Sequence, residues 1–130
     1  MNLKFLDACQ NGKINIVKEL LTKVDPSIID NFAIRFSAQN GQRDIVEFLL
    51  RDTRVDPSAW DNFAIRVAAE NGHRDVVELL LKDSRVDPSE RDNEAIRLAA
   101  ENGHNDVVEL LEQHNYKIDS ICYNKMQKLK

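Results

Sequence analysis

Three arginines, Arg35, Arg66 and Arg97, stand thirty-one residues apart, and two histidines, His73 and His104, keep the same interval. A ladder of guanidinium forks would suit a strip that binds anions. It would equally suit bridges from each arginine to a carboxylate or loop carbonyl of its own or the next unit. Identity at all three positions favours the second role, because constant positions in a repeat serve its architecture. Histidines acting as metal ligands or bases need convergent partners, and none recurs with them. Gln42 takes their place one interval earlier, which a ligand set would not tolerate, so a helix-start histidine bonding to an adjacent loop is expected. His114 is isolated. Carboxylate pairs such as Asp75 and Glu78 recur as helix N-terminal charge does, not as acid–base machinery. Cys9 and Cys122 have no Cys-x-x-Cys partner, and there is no phosphate-cradling glycine loop. No catalytic residue, metal site or cofactor is expected.

These residues sit in a repeat. Pro26, Pro57 and Pro88 share the thirty-one-residue interval, as do Gly41, Gly72 and Gly103. A period in this range signals a solenoid, in which each unit buries its apolar face only against neighbours. In the unit Val55–Arg85, Asp61 stands as the expected N-cap of a first helix. Ala64, Ile65, Ala68 and Ala69 follow at helical spacing and would let a neighbouring helix approach closely. Asn71-Gly72 ends that helix with a left-handed turn. A second helix follows, with Asp75 and Glu78 near its start and an apolar stripe of Val76, Val77, Leu79, Leu80 and Leu81. Val86-Asp87-Pro88-Ser89 then forms a turn, since the residue before proline avoids the helical region.

The run A-A-E-N-G-H-R-D-V-V-E-L-L-L at Ala68–Leu81 resembles the A-A-x-x-G-H-x-x-V-V-x-L-L-L core of the ankyrin repeat. The likeness recurs in register along nearly the whole chain. It departs where F-A-I-R (Phe32–Arg35, Phe63–Arg66) and E-A-I-R (Glu94–Arg97) replace the family's T-P-L-H. The unit is also two residues short of the usual repeat. The resemblance implies an all-α solenoid of helix-turn-helix units: four helix pairs, loops cut back from hairpins to turns, and a short closing helix near Tyr123–Leu129. That helix would cover the end of the stack with Ile121, Met126 or Leu129. One domain, 1–130, is expected, with an N-terminal capping unit 1–23, regular units 24–54, 55–85 and 86–116, and a C-terminal cap and tail 117–130.

The resemblance also implies a non-enzymatic module that binds a protein through loops and first helices. The informative positions vary while their surroundings stay fixed. After each Pro-Ser come Ile28-Ile29, Ala59-Trp60 and Glu90-Arg91, and Phe32 and Phe63 give way to Glu94. They would make an apolar half (Ile28, Ile29, Phe32, Ala59, Trp60, Phe63) and a charged half (Glu90, Arg91, Glu94), with Gln39, Glu70 and Glu101 as inner wall. Phe32 and Phe63 read equally as cover for the short loops. A site that accepts Ile, Trp and Arg is no tight core pocket, so an exposed Trp60 indole is expected.

The bulk numbers restrict the partner. Net charge is −4, and basic residues alternate with acidic ones, which argues against nucleic acid. No apolar run is long enough to cross a membrane, and the N-terminal one is too short for a signal peptide. Two unpaired cysteines at opposite ends of a stack fit a reducing, cytoplasmic compartment. A monomer is expected. The alternative is a self-associating scaffold, a homodimer through the Trp60 face or an unsealed solenoid end.

Overall fold

The computed structural model describes residues 1–128. Among them lie eight helices and no strand: α1 (Asn2–Gln10), α2 (Ile14–Leu20), α3 (Ile28–Gln39), α4 (Arg43–Leu50), α5 (Ala59–Glu70), α6 (Arg74–Leu81), α7 (Glu90–Glu101) and α8 (Asn105–Lys128). Each odd helix packs antiparallel to the even one that follows. Along the stack α1, α3, α5 and α7 form one layer, and α2, α4, α6 and α8 the other. The alanines let the first layer close up: Ala33, Ala38, Ala64, Ala68, Ala95 and Ala99 are fully buried. The second layer contributes Val46, Leu49, Val77, Leu80, Val107 and Leu111, also buried. Each such large side chain contributes about 2 kcal/mol by leaving water.

The tight turns work as the sequence suggests. Gly41 and Gly72 have φ of 70° and 74°, the left-handed region that glycine enters without strain. A side chain there would also collide with the next unit, because a Cβ on Gly41 would lie 2.7 Å from Nδ1 of His73. His73 is the N-cap of α6 and its Nε2–H donates to the Gln39 carbonyl at 2.9 Å. Only the Nε2-protonated tautomer can make that bond, since a carbonyl accepts and does not donate. Gln42 does the same one unit earlier, donating to the Gln10 carbonyl at 2.9 Å.

Two expectations are corrected. Asp61 is not an N-cap. Ser58 holds that position for α5, and the three residues Trp60, Asp61 and Asn62 form a left-handed turn. There is likewise no separate closing helix among the described residues. α8 runs unbroken to Lys128, and Ile121 and Met126 are exposed, so neither covers the end of the stack. His114, Asn115 and Tyr116 contain no glycine or proline to stop the helix, and nothing else forces a break. Leu129 and the Cys122 side chain lie outside the described residues.

Candidate functional site

The site is built on the left-handed turns. α3, α5 and α7 each open with three residues of positive φ: Ile29-Asp30-Asn31, Trp60-Asp61-Asn62 and Arg91-Asp92-Asn93. Ile29, for instance, has φ 53° and ψ 55°. Asp and Asn visit this region at modest strain. A β-branched or aromatic residue does so at a cost of about 1–2 kcal/mol.

The arginine ladder holds these turns. Arg66 donates from Nε to the Asp61 carbonyl at 2.9 Å and from Nη2 to the Trp60 carbonyl at 3.0 Å. Arg35 does the same to Asp30 (2.9 Å) and Ile29 (3.0 Å), and Arg97 to Asp92 and Arg91, both at 3.0 Å. Nη1 of Arg66 also reaches Glu94 of the next unit at 3.1 Å. The structural reading of the ladder therefore holds, and the anion strip does not. The third turn residue links units. Asn31 Oδ1 accepts the Asp56 N–H and Asn62 Oδ1 accepts the Asp87 N–H, each at 2.8 Å. Below each turn, Asp56 and Asp87 fold the D-P-S segment by accepting from the backbone and hydroxyl of Ser58 and Ser89.

The first turn residue points outward. Ile29 is 63% exposed and Trp60 is 56% exposed, as expected for the indole, and Arg91 is exposed as well. Each is tethered back by one unit where its chemistry allows. Trp60 Nε1 donates to Asp30 at 3.3 Å, and Arg91 Nη2 donates to Asp61 at 3.4 Å. Ile29 makes no such bond.

The structure gathers part of the expected apolar half. The guanidinium carbon of Arg35 lies 4.0 Å from the Trp60 ring centroid, 5.5 Å from Phe63, 5.4 Å from Phe36 and 5.8 Å from Phe32. Phe32 and Phe36 stack at 4.1 Å, and Trp60 meets Phe63 edge-on at 6.0 Å. Desolvation within this cluster lowers the Arg35 pKa, which the Asp30 charge partly opposes. Phe36 escaped the sequence reading, although its place four residues after Phe32 puts both rings on one helix face. Phe32 and Phe63 are both half-buried and line this cluster, and Phe32 also packs on the core. Ile28 packs on the core. Ala59 and Glu90 are half-buried, and Glu94 is taken up by Arg66. Among the described residues no side-chain hydrogen bond or ion pair ties Gln39, Glu70 or Glu101 to the cluster. The carbonyls of Gln39 and Glu70 instead join units, accepting from Asn71 at 3.1 Å and Asn102 at 3.0 Å.

No group of metal-ligating side chains, and no helix long and apolar enough to cross a membrane, occurs among the described residues. Stacked helix pairs, joined by side chains that reach the backbone of the neighbouring pair and displaying one variable residue per turn, define a helical repeat protein. The family model for ankyrin repeats (three copies) matches residues 5–92 and 34–122, and the chain belongs to that family. Ankyrin repeats are generally protein–protein interaction modules and typically non-enzymatic. No curated protein matches the chain.

Proposed function

We propose that the protein is a non-enzymatic binding module that holds a protein partner along the row of left-handed turns and the first helices behind them. One observation carries this. Ile29, Trp60 and Arg91 occupy strained backbone, extend into solvent, and vary while the Asp-Asn that follows them is constant. Asn or Gly would fit that backbone with less strain. Residues kept at such a position against the local preference mark a site where strain is tolerated for function. Trp60, held by Asp30 and stacked on Arg35, is a pre-ordered aromatic anchor. Ile28, Phe32, Ala59 and Phe63 form its apolar surround, and Glu90, Arg91 and Glu94 its charged flank. Gln39, Glu70 and Glu101 are the inner wall. A reducing, cytoplasmic compartment suits the free, buried thiol of Cys9.

The test compares proteins captured by wild type, by Trp60→Asn and by a control altered on the far layer, Arg74→Gln. Trp60→Asn keeps the backbone conformation and removes the anchor. The expected result is a partner retained by wild type and the control and lost by Trp60→Asn. Equal capture by all three would remove the turns from the binding surface.

A further inference from the structure

The distal half of α8 carries an apolar stripe out of the stack. Val107, Leu111, His114, Ile118 and Ile121 follow one another at intervals of four and three, so they share one helix face. Val107 and Leu111 are fully buried against α6 and α7, His114 is half-buried, and Ile118 and Ile121 are 47% and 50% exposed. The helix then continues to Lys128, about 20 Å beyond His114. A helix of that length owes its stability in water to an apolar face packed on something.

Under the emerging stripe lies a cleft of about 540 Å³. Val86 and Pro88 wall it on one side and Ile118 on the other, with the carboxylates of Asp87 and Asp119 at its rim. Among the described residues neither carboxylate forms an ion pair. The end of the same helix carries the complement: Lys125, Met126 and Lys128, all exposed.

We propose that the distal half of α8 is a dimerisation arm for a second copy of this chain. Two such helices pair antiparallel, with Ile118 of one against Ile121 of the other. That register brings Lys125 of each copy beside the half-buried His114 of its partner, at the mouth of the partner's cleft, with the long side chain of Lys128 within reach of the same mouth. There the two ammonium groups meet Asp87 and Asp119, and Met126 reaches the apolar walls of Val86 and Pro88. The contact is isologous, so it closes at two copies. A parallel pair would set Lys125 and Lys128 beside their own copies and leave both clefts empty.

Sedimentation equilibrium on the full chain, from low to high micromolar, tests this. The mass should rise from 14.9 kDa towards twice that value, at higher protein concentration as salt increases. Ile118→Asp with Ile121→Asp should stay at the monomer mass throughout, with an unchanged urea midpoint, because both residues lie beyond the buried part of the stripe. Lys125→Glu with Lys128→Glu should weaken the dimer several-fold, and adding Asp119→Lys should restore part of that loss. Wild type remaining monomeric at every concentration would overturn the proposal. So would a dimer that survives the isoleucine changes, or a charge loss that Asp119→Lys deepens. Trp60→Asn should leave the dimer intact, so this arm and the binding turns fail separately.

Discussion

Replacing Arg66 tests the account of the turns most directly. Its side chain is buried and gives three hydrogen bonds: to the carbonyls of Trp60 and Asp61 and to the Glu94 carboxylate. Arg66→Ala leaves the two carbonyls of a strained turn without their charged donor. Each such bond contributes roughly 1–1.5 kcal/mol net. The Glu94 pair adds less, because Glu94 is 24% exposed and water screens it, so about 0.5 kcal/mol is reasonable. The expected loss is therefore about 2–4 kcal/mol, read as a lower urea midpoint at constant slope. Arg66→Lys should recover little, since one ammonium cannot reach two adjacent carbonyls in the planar fork geometry. Arg97 supplies an internal control. It makes the same two carbonyl bonds but is exposed, with no carboxylate partner among the described residues, so Arg97→Ala should cost under about 1 kcal/mol. Equal midpoints for Arg66→Ala and wild type would refute the reasoning. So would an Arg97→Ala loss as large as that at Arg66.

Ile29→Asn should match or exceed wild-type stability and exceed Ile29→Val by about 1 kcal/mol, because Asn tolerates a φ of 53° and a β-branched residue does not; a less stable Asn variant in urea would count against strain at this turn. Cys9 is fully buried, and desolvation pushes its thiol up to about 12, so in a Cys122→Ser background it should resist iodoacetamide at pH 8 until urea unfolds the chain; rapid modification of native protein, read by intact mass, would contradict that burial. The same raised pKa makes stability level below pH 9.0 and falling above it, as the unfolded thiol ionises first, and Cys9→Ser should flatten that alkaline limb. Asp52 and Asp83 are held below the ordinary 3.8 mainly by hydrogen bonds from Arg54 and Arg85, so their contribution is intact above pH 3.8 and lost as pH falls below it; Asp83→Asn should make the acid limb shallower.

The helix pairs, their small-residue layer and the glycine turns were legible because each follows from a local rule repeated in register. The role of the arginines was legible too, since a constant residue in a repeat serves the repeat. The left-handed turn was not. Asp61 before an apolar run is what an N-cap looks like, and nothing in Ala59-Trp60-Asp61-Asn62 announces three positive φ angles in a row. That conformation depends on Arg66, five residues on, and on Asn62 reaching the next unit. The run of α8 past the stack was missed for the opposite reason. A likeness to a capped repeat array suggested a break, whereas the residues from His114 to Tyr116 contain no breaker.

The strained turn and the variable residue belong to one device. With positive φ at Trp60, Asp61 and Asn62 the indole stays 56% exposed while it rests against Asp30 and Arg35 of the preceding unit, and the carbonyls of Trp60 and Asp61 are gathered by Arg66. The guanidinium therefore fixes the backbone of the turn without touching the side chain displayed there. That separation lets Ile, Trp and Arg occupy the same place in successive units while Asp, Asn and the buried arginine stay constant. Only the tether to the preceding unit changes with the residue: an indole N–H to Asp30, a guanidinium to Asp61. A position whose backbone is held by groups other than its own side chain can change partner specificity at a cost limited to the strain and local contacts of the residue it carries, which suits a binding surface built from repeats.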